Sequence, residues 1–96
     1  MTNRAVIPAA GQLDYRSSQD LVARVRAAMR NNQPGIEIAF AGNAVISSGE
    51  LLGFLVTVAR YLSAEGHELR LSGGNARLRQ IVDMVGLGTF LVEESA

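Results

Sequence analysis

Cysteine and tryptophan are absent from this 96-residue chain, histidine occurs once, and three Phe and two Tyr are its only aromatic rings. Without cysteine there is no disulfide and no thiolate chemistry, which fits a reducing compartment. A single imidazole, His67, excludes paired-histidine metal motifs and leaves any hydrolytic triad resting on that one residue. So few rings do not make a base-stacking platform. Neither sign of charge dominates, because nine basic and nine acidic side chains cancel, so no bulk field draws nucleic acid or an anionic membrane. No apolar run approaches the ~18 residues of a membrane span, and the stretch Met1 to Pro8 has no apolar signal-peptide core. These absences lead to the expectation of a soluble, cytoplasmic single domain (1–96) with no nucleic-acid partner and no membrane insertion.

What is present is a regular alternation of element signals. Val6 and Ile7 start a strand, and Pro8, which lacks a ladder donor, assigns it to an edge or stops it early. After Gly11, Ser17 and Asp20 form an S-x-x-D start signal. Leu21, Val22, Val25, Ala28 and Met29 then share one side of a helix ending near Arg30, with Arg24, Arg26 and Arg30 on its solvated face. The breaker cluster Asn31 to Gly35 is a connection. Ile36, Ile38 and Phe40 alternate with Glu37, Ala39 and Ala41, the pattern of a buried central strand. Farther on, Leu69 and Leu71 mark a strand. Asn75 can cap a helix whose apolar face is Leu78, Ile81, Val82 and Val85, with Gly86 at its end. Phe90, Leu91 and Val92 suggest a last strand. Strand, helix, strand, helix, strand, helix, strand implies crossover units and a parallel sheet with packed helices.

The chain is organised around Val45, Ile46, Ser47, Ser48, Gly49 and Glu50, where an apolar pair gives way to small hydroxyl residues and then to the apolar run Leu51 to Leu62. A strand should hand over to a helix here. Ser47 and Glu50 have capping-box spacing, which places Ser48 in the first helical turn, exposed, where orphan N–H groups and the helix dipole tolerate a phosphate. At 100° per residue, Leu51, Leu52, Phe54, Leu55, Val58, Ala59, Tyr61 and Leu62 cover about half of the helix. Gly53, Val56, Thr57 and Arg60 point the other way. That small, weakly polar strip either receives a close-fitting partner or lies under another helix of the same chain.

No enzyme site assembles from these residues. The loop Ser72, Gly73, Gly74, Asn75 enters a helix but has neither a Gly-Lys-Ser/Thr nor a G-x-G-x-x-G pattern. Asp14, Glu50 and Asp83 are too scattered for an acid and base pair. Neither a metal nor a cofactor is called for, and a binding module is expected.

In order and spacing, several segments resemble the STAS domain of bacterial anti-sigma factor antagonists. Gly11, Gln12, Leu13, Asp14 looks like that family's G-E-L-D, and Ile46 to Leu51 is similar to its I-D-S-S-G-L and, more closely, I-S-S-A-G-L. Gly66 to Leu71, then Leu78, Ile81 and Gly86-Leu87, corresponds to the closing G-x-x-L-x-L, helix, G-L pattern. The resemblance covers about Val6 to Val92. It departs at Ser47 and Ala39, where the family has Asp, and at Glu50, where it has Gly.

The resemblance implies a mixed, mainly parallel sheet of four to five strands with helices packed on one side. It implies partner switching: the unphosphorylated protein binds a GHKL-type serine kinase that is also an anti-sigma factor, and phosphorylation of the turn serine ends binding. A serine phosphatase would reverse it. Aligned without a gap, the phosphoacceptor is Ser48, with Ser47 as second choice, and the partner surface is Ser47, Ser48, Gly49, Glu50, Gly53, Val56, Thr57 and Arg60. A different class is a non-switching STAS subunit of a lipid-transport ABC complex or a stressosome-type scaffold, docking through the same helix. A hydrolase pairing Ser48 with His67 stands behind both.

Overall fold

Ile36, Ile38 and Phe40 are 0%, 0% and 5% exposed, and their strand β3 (Gly35–Phe40) is the middle one of three. The computed structural model describes residues 4–31 and 35–91. In it, β3 is flanked in parallel by β1 (Ala5–Ala9) and β5 (Glu68–Gly73), with Ile7, Ile38 and Leu71 in register across the sheet. Pro8 is therefore on an edge strand, as its missing donor requires.

One face of this sheet carries the core. Ile7, Ala9, Ile36, Ile38, Phe40, Leu69 and Leu71 join a single cluster with the apolar rows of three helices, α1 (Ser18–Arg30), α2 (Gly49–Ala64) and α3 (Ala76–Met84). Fully burying each large aliphatic side chain of such a row contributes about 1.5–3 kcal/mol, so Leu51, Leu55, Val58 and Leu62 fix α2 on the sheet. The opposite face is more open: Val6 is 58% exposed, and Glu37 accepts from Arg4 Nη1 (3.0 Å) and from Ser72 Oγ (2.8 Å).

Among the described residues the strands do not form one mixed sheet of four or five: their pairings are all parallel and divide into two small sheets, the second being the two-residue pair β2 (Gln12–Leu13) and β4 (Val45–Ile46). The cause is a bend beyond β1, where Ala41 N still bonds Ala9 O but Gly11 then takes φ 70° and turns the next pairing off the sheet. The expected last strand is reduced as well. Gly88–Phe90 is a 3-10 turn and Leu91 makes one isolated bridge to Leu71. Val92, like residues 32–34 of the breaker cluster, lies outside the described residues.

The helix ends follow their glycines. Gly66 N bonds Ser63 O and His67 N bonds Leu62 O after α2, and the same double bond pattern recurs after α3 through Gly86 and Leu87. Some faces differ from expectation. Tyr61 is 49% exposed and Val85 39%, while Leu52, Phe54 and Ile81 are only half-buried, because the buried arc of each helix is narrower than its apolar arc. The arginines of α1 are not all merely solvated: Arg24 pairs with Asp20 (3.1 Å), and the Arg26 guanidinium lies 5.5 Å from the centre of the Phe54 ring.

Gly73 has φ 71°, and a Cβ there would clash with Phe40 O. Gly73→Ala is therefore expected to destabilise the fold by well over ~1 kcal/mol, read as a lower denaturation midpoint in urea with an unchanged m-value.

Candidate functional site

Strand alternation runs through the β4–α2 turn and decides which hydroxyl is available. Val45 is exposed, Ile46 buried, Ser47 exposed and Ser48 buried at 7%. Ser47 N still bonds Leu13 O (3.1 Å), and Ser48 keeps extended angles (φ −107°, ψ 116°), so the helix starts only at Gly49. Ser48 Oγ accepts from Leu51 N at 3.2 Å and is itself the N-cap.

Two expectations are thereby corrected. The capping box does not run from Ser47 to Glu50: counted from Ser48, the third helical position is Leu51, which has no carboxylate to reach back, and Glu50 is exposed. Ser48 is not an exposed hydroxyl in the first turn. Having the parity of Ile46, it faces inward, and Ser47 is the serine that meets solvent.

The rest of the expected surface is brought together. Gly49, Glu50, Gly53, Val56, Thr57 and Arg60 fall within about 120° of arc on α2. Gly53, Thr57 and Arg60 are exposed, so no other helix of the described residues covers that strip. Thr57 Oγ1 donates to Gly53 O (3.1 Å), so its hydroxyl is already engaged. Val56 is half-buried, and with Arg60 it borders a cavity of about 570 Å³ toward Val85, Leu87 and Phe90.

Asn75 is the residue whose role the sequence only half disclosed. It caps α3 through Leu78 N (2.9 Å), as its position before the helix indicated. Its Nδ2 also donates to Gly42 O (3.0 Å) and Ala44 O (2.9 Å), tying the start of α3 to the loop that feeds β4. Nothing local marks that tie. The Gly-Gly part of the same loop is committed to the sheet, since Gly74 N bonds Phe40 O (2.8 Å).

Asp14 flanks the site because its neighbour Leu13 receives Ser47 N. It also corrects the start of α1. Ser17 makes no side-chain cap bond, and no box with Asp20 forms. The reciprocal pair is instead Asp14 with Ser17, in which Ser17 N bonds Asp14 Oδ1 (2.8 Å) and Asp14 N bonds Ser17 Oγ (3.0 Å). The backbone N–H of Ser17, then its hydroxyl, hold the Asp14 carboxyl below its ordinary value of 3.8. Catalytic pairing of Ser48 with His67 is excluded by distance: they sit at opposite ends of α2, whose 16 residues span about 24 Å.

No family model matches the chain, and no curated protein matches it. The structure matches that of the Bacillus cell fate determinant SpoIIAA in its phosphorylated form, with a TM-score of 0.70 and 18% identity, over 99% of this chain and 86% of that one. The fold is SpoIIAA-like. At such low identity the likeness is one of fold. Because it spans nearly the whole chain, both small sheets and all three helices belong to the SpoIIAA-like unit.

Two outcomes follow from this geometry. Asn75→Ala is expected to cost about 1–3 kcal/mol, since it removes a cap and leaves two loop carbonyls without their donor, with loss of amide protection at Ser47 and Val45 in hydrogen exchange. A depressed carboxyl stabilises the folded state above the unfolded value and loses that contribution as pH falls through the folded one. Asp14 should therefore titrate below 3.8 by carbon NMR, its contribution disappearing only in stronger acid, and Ser17→Ala should raise it only part of the way, since the backbone N–H of residue 17 remains.

Proposed function

We propose that this chain is a STAS-type anti-sigma factor antagonist that works by partner switching. The observation that carries this reading is the uncovered strip Gly53, Thr57, Arg60, continuous with an exposed serine at the start of α2. Two further findings support it: the ordered STAS-like segments of the sequence, and the likeness in fold to SpoIIAA, a STAS-domain anti-sigma factor antagonist. The partner is a GHKL-type serine kinase that doubles as an anti-sigma factor, bound through Ser47, Ser48, Gly49, Glu50, Gly53, Val56, Thr57 and Arg60. A serine phosphatase completes the cycle. The protein itself performs no catalysis, needs no cofactor and acts in the cytoplasm.

Phosphorylation adds nearly two negative charges and three acceptor oxygens at the rim of a close apolar contact, where desolvating them is costly. By alignment the acceptor is Ser48. Its Oγ is the α2 cap, so modification requires the first turn to open, after which phosphate oxygens can take over the freed amide. Ser47 is the second choice, and its exposure favours it. The burial of Ser48 is also the observation that favours the other class, a non-switching subunit of a lipid-transport ABC complex or a stressosome-type scaffold.

Incubation with ATP and the GHKL-type ATPase encoded nearest to this gene is expected to add one phosphate by mass, mapped by fragmentation to Ser48 or Ser47 and lost in the corresponding alanine variant. Ser48→Asp is expected to weaken binding to that ATPase tenfold or more, about 1.4 kcal/mol. Tight binding with no phosphate, or undiminished binding by both Ser48→Asp and Ser47→Asp, would exclude the switch.

A further inference from the structure

The exposed serine does not face open solvent alone. It borders a cavity of about 400 Å³ between the β4–α2 turn and the start of α3, lined by Val45, Ile46, Ser47, Arg77, Leu78 and Ile81. Arg77 is the cation of this cavity. It is exposed and takes no part in the ion pairs of the described residues, which join Arg4 to Glu37 and Arg24 to Asp20. It also stands against a local rule. Arg77 is in the first turn of α3, which contains no acid, so a positive charge sits at the positive end of the helix dipole. A local preference overridden without a compensating contact is where a functional role is expected.

We propose that Ser47 is a phosphate-carrying position and that Arg77 is the counter-charge that receives its phosphoryl group. The inference rests on the reading of this turn as a phosphorylation switch, and deepens it by naming the residue that holds the modified state. In the modification, Ser47 Oγ attacks the γ-phosphorus of ATP. An Oγ–P bond forms, the bond to the β–γ bridging oxygen breaks, ADP leaves with that oxygen, and the hydroxyl proton passes to a base of the kinase or to water.

The phosphate then lies at the cavity mouth, where a guanidinium can present two parallel N–H donors. The place of Arg77 opposite the turn is set by Asn75, two residues earlier, which is bonded to both Gly42 O and Ala44 O. Phosphorylation on this scheme fastens the turn to α3 and holds the phosphate in the gap between α3 and the rim of the α2 surface. The bound and modified states therefore differ in the chain's own surface charge as well as in steric bulk.

The test places phosphoserine at position 47 of the full chain during translation, so no kinase is needed, and follows its phosphorus NMR signal through the second ionisation at about pH 6. Arg77 favours the dianion and lowers this ionisation. In Arg77→Gln it is expected to rise by about half a unit, with circular dichroism unchanged because the side chain is exposed. The carboxylates nearest the turn, Glu50 on α2 and Asp14 beside β2, and the Arg79 and Asp83 charges on α3 are the same in both proteins. An unchanged ionisation in Arg77→Gln, or an equal rise in the remote variant Arg30→Gln, would overturn the proposal. Either result leaves the kinase assay free to decide on partner switching by itself.

Discussion

Everything at this site depends on one change of hydrogen-bonding partner. Ser47 N makes the last bond of the β2–β4 ladder, to Leu13 O, and Ser48 Oγ makes the first bond of α2, from Leu51 N. Between those two bonds the backbone stays extended, so the two-residue period of a strand persists through the turn. One hydroxyl is consequently structural and its neighbour accessible. Interchanging them would require slipping β4 by one residue, which would send Ile46 to solvent and Val45 into the core.

That parity also sets what α2 presents to the core and to solvent. The helix is held from below by Leu51, Leu55, Val58 and Leu62, none more than 2% exposed. In its outer row Gly53, Thr57 and Arg60 are exposed, and only Val56 packs partly against the core. The backbone is open at Gly49 and Gly53, where a Cβ would meet nothing within 4 Å. On the proposed reading, close approach there gives shape selection with little apolar area.

Much of the framework was legible from periodicity. The alternation in Ile36, Ile38 and Phe40 located the central strand, and Gly66 and Gly86 located two helix ends, because these depend on local backbone geometry. Legibility stopped where a choice between adjacent residues had to be made. Ser17 and Asp20 fit a capping box by spacing, yet the reciprocal pair forms three residues earlier, between Asp14 and Ser17, in the turn that joins β2 to α1. The same kind of shift moved the α2 cap from Ser47 to Ser48. Contacts across elements, such as Arg26 on Phe54 and Asn75 on the 42–44 loop, leave no pattern along the chain, since neither partner's neighbours change when the contact forms.

Glu50 is the substitution at this turn whose consequence is electrostatic rather than structural. Had the cap been Ser47, its carboxylate would have been occupied by returning to the backbone. With the cap at Ser48 it is exposed at the first turn, favourably placed on the α2 dipole but otherwise facing outward. The strip therefore runs from a permanent anion at Glu50, past Gly53 and Thr57, to a cation at Arg60. On the proposed reading, a partner lying along α2 would be oriented by placing a positive charge at the turn and a negative one farther down. On the same reading, a phosphate beside Glu50 adds charge of the sign already present at the turn, so what opposes the partner there is the bulk of the phosphate and the cost of desolvating it, not a reversal of charge.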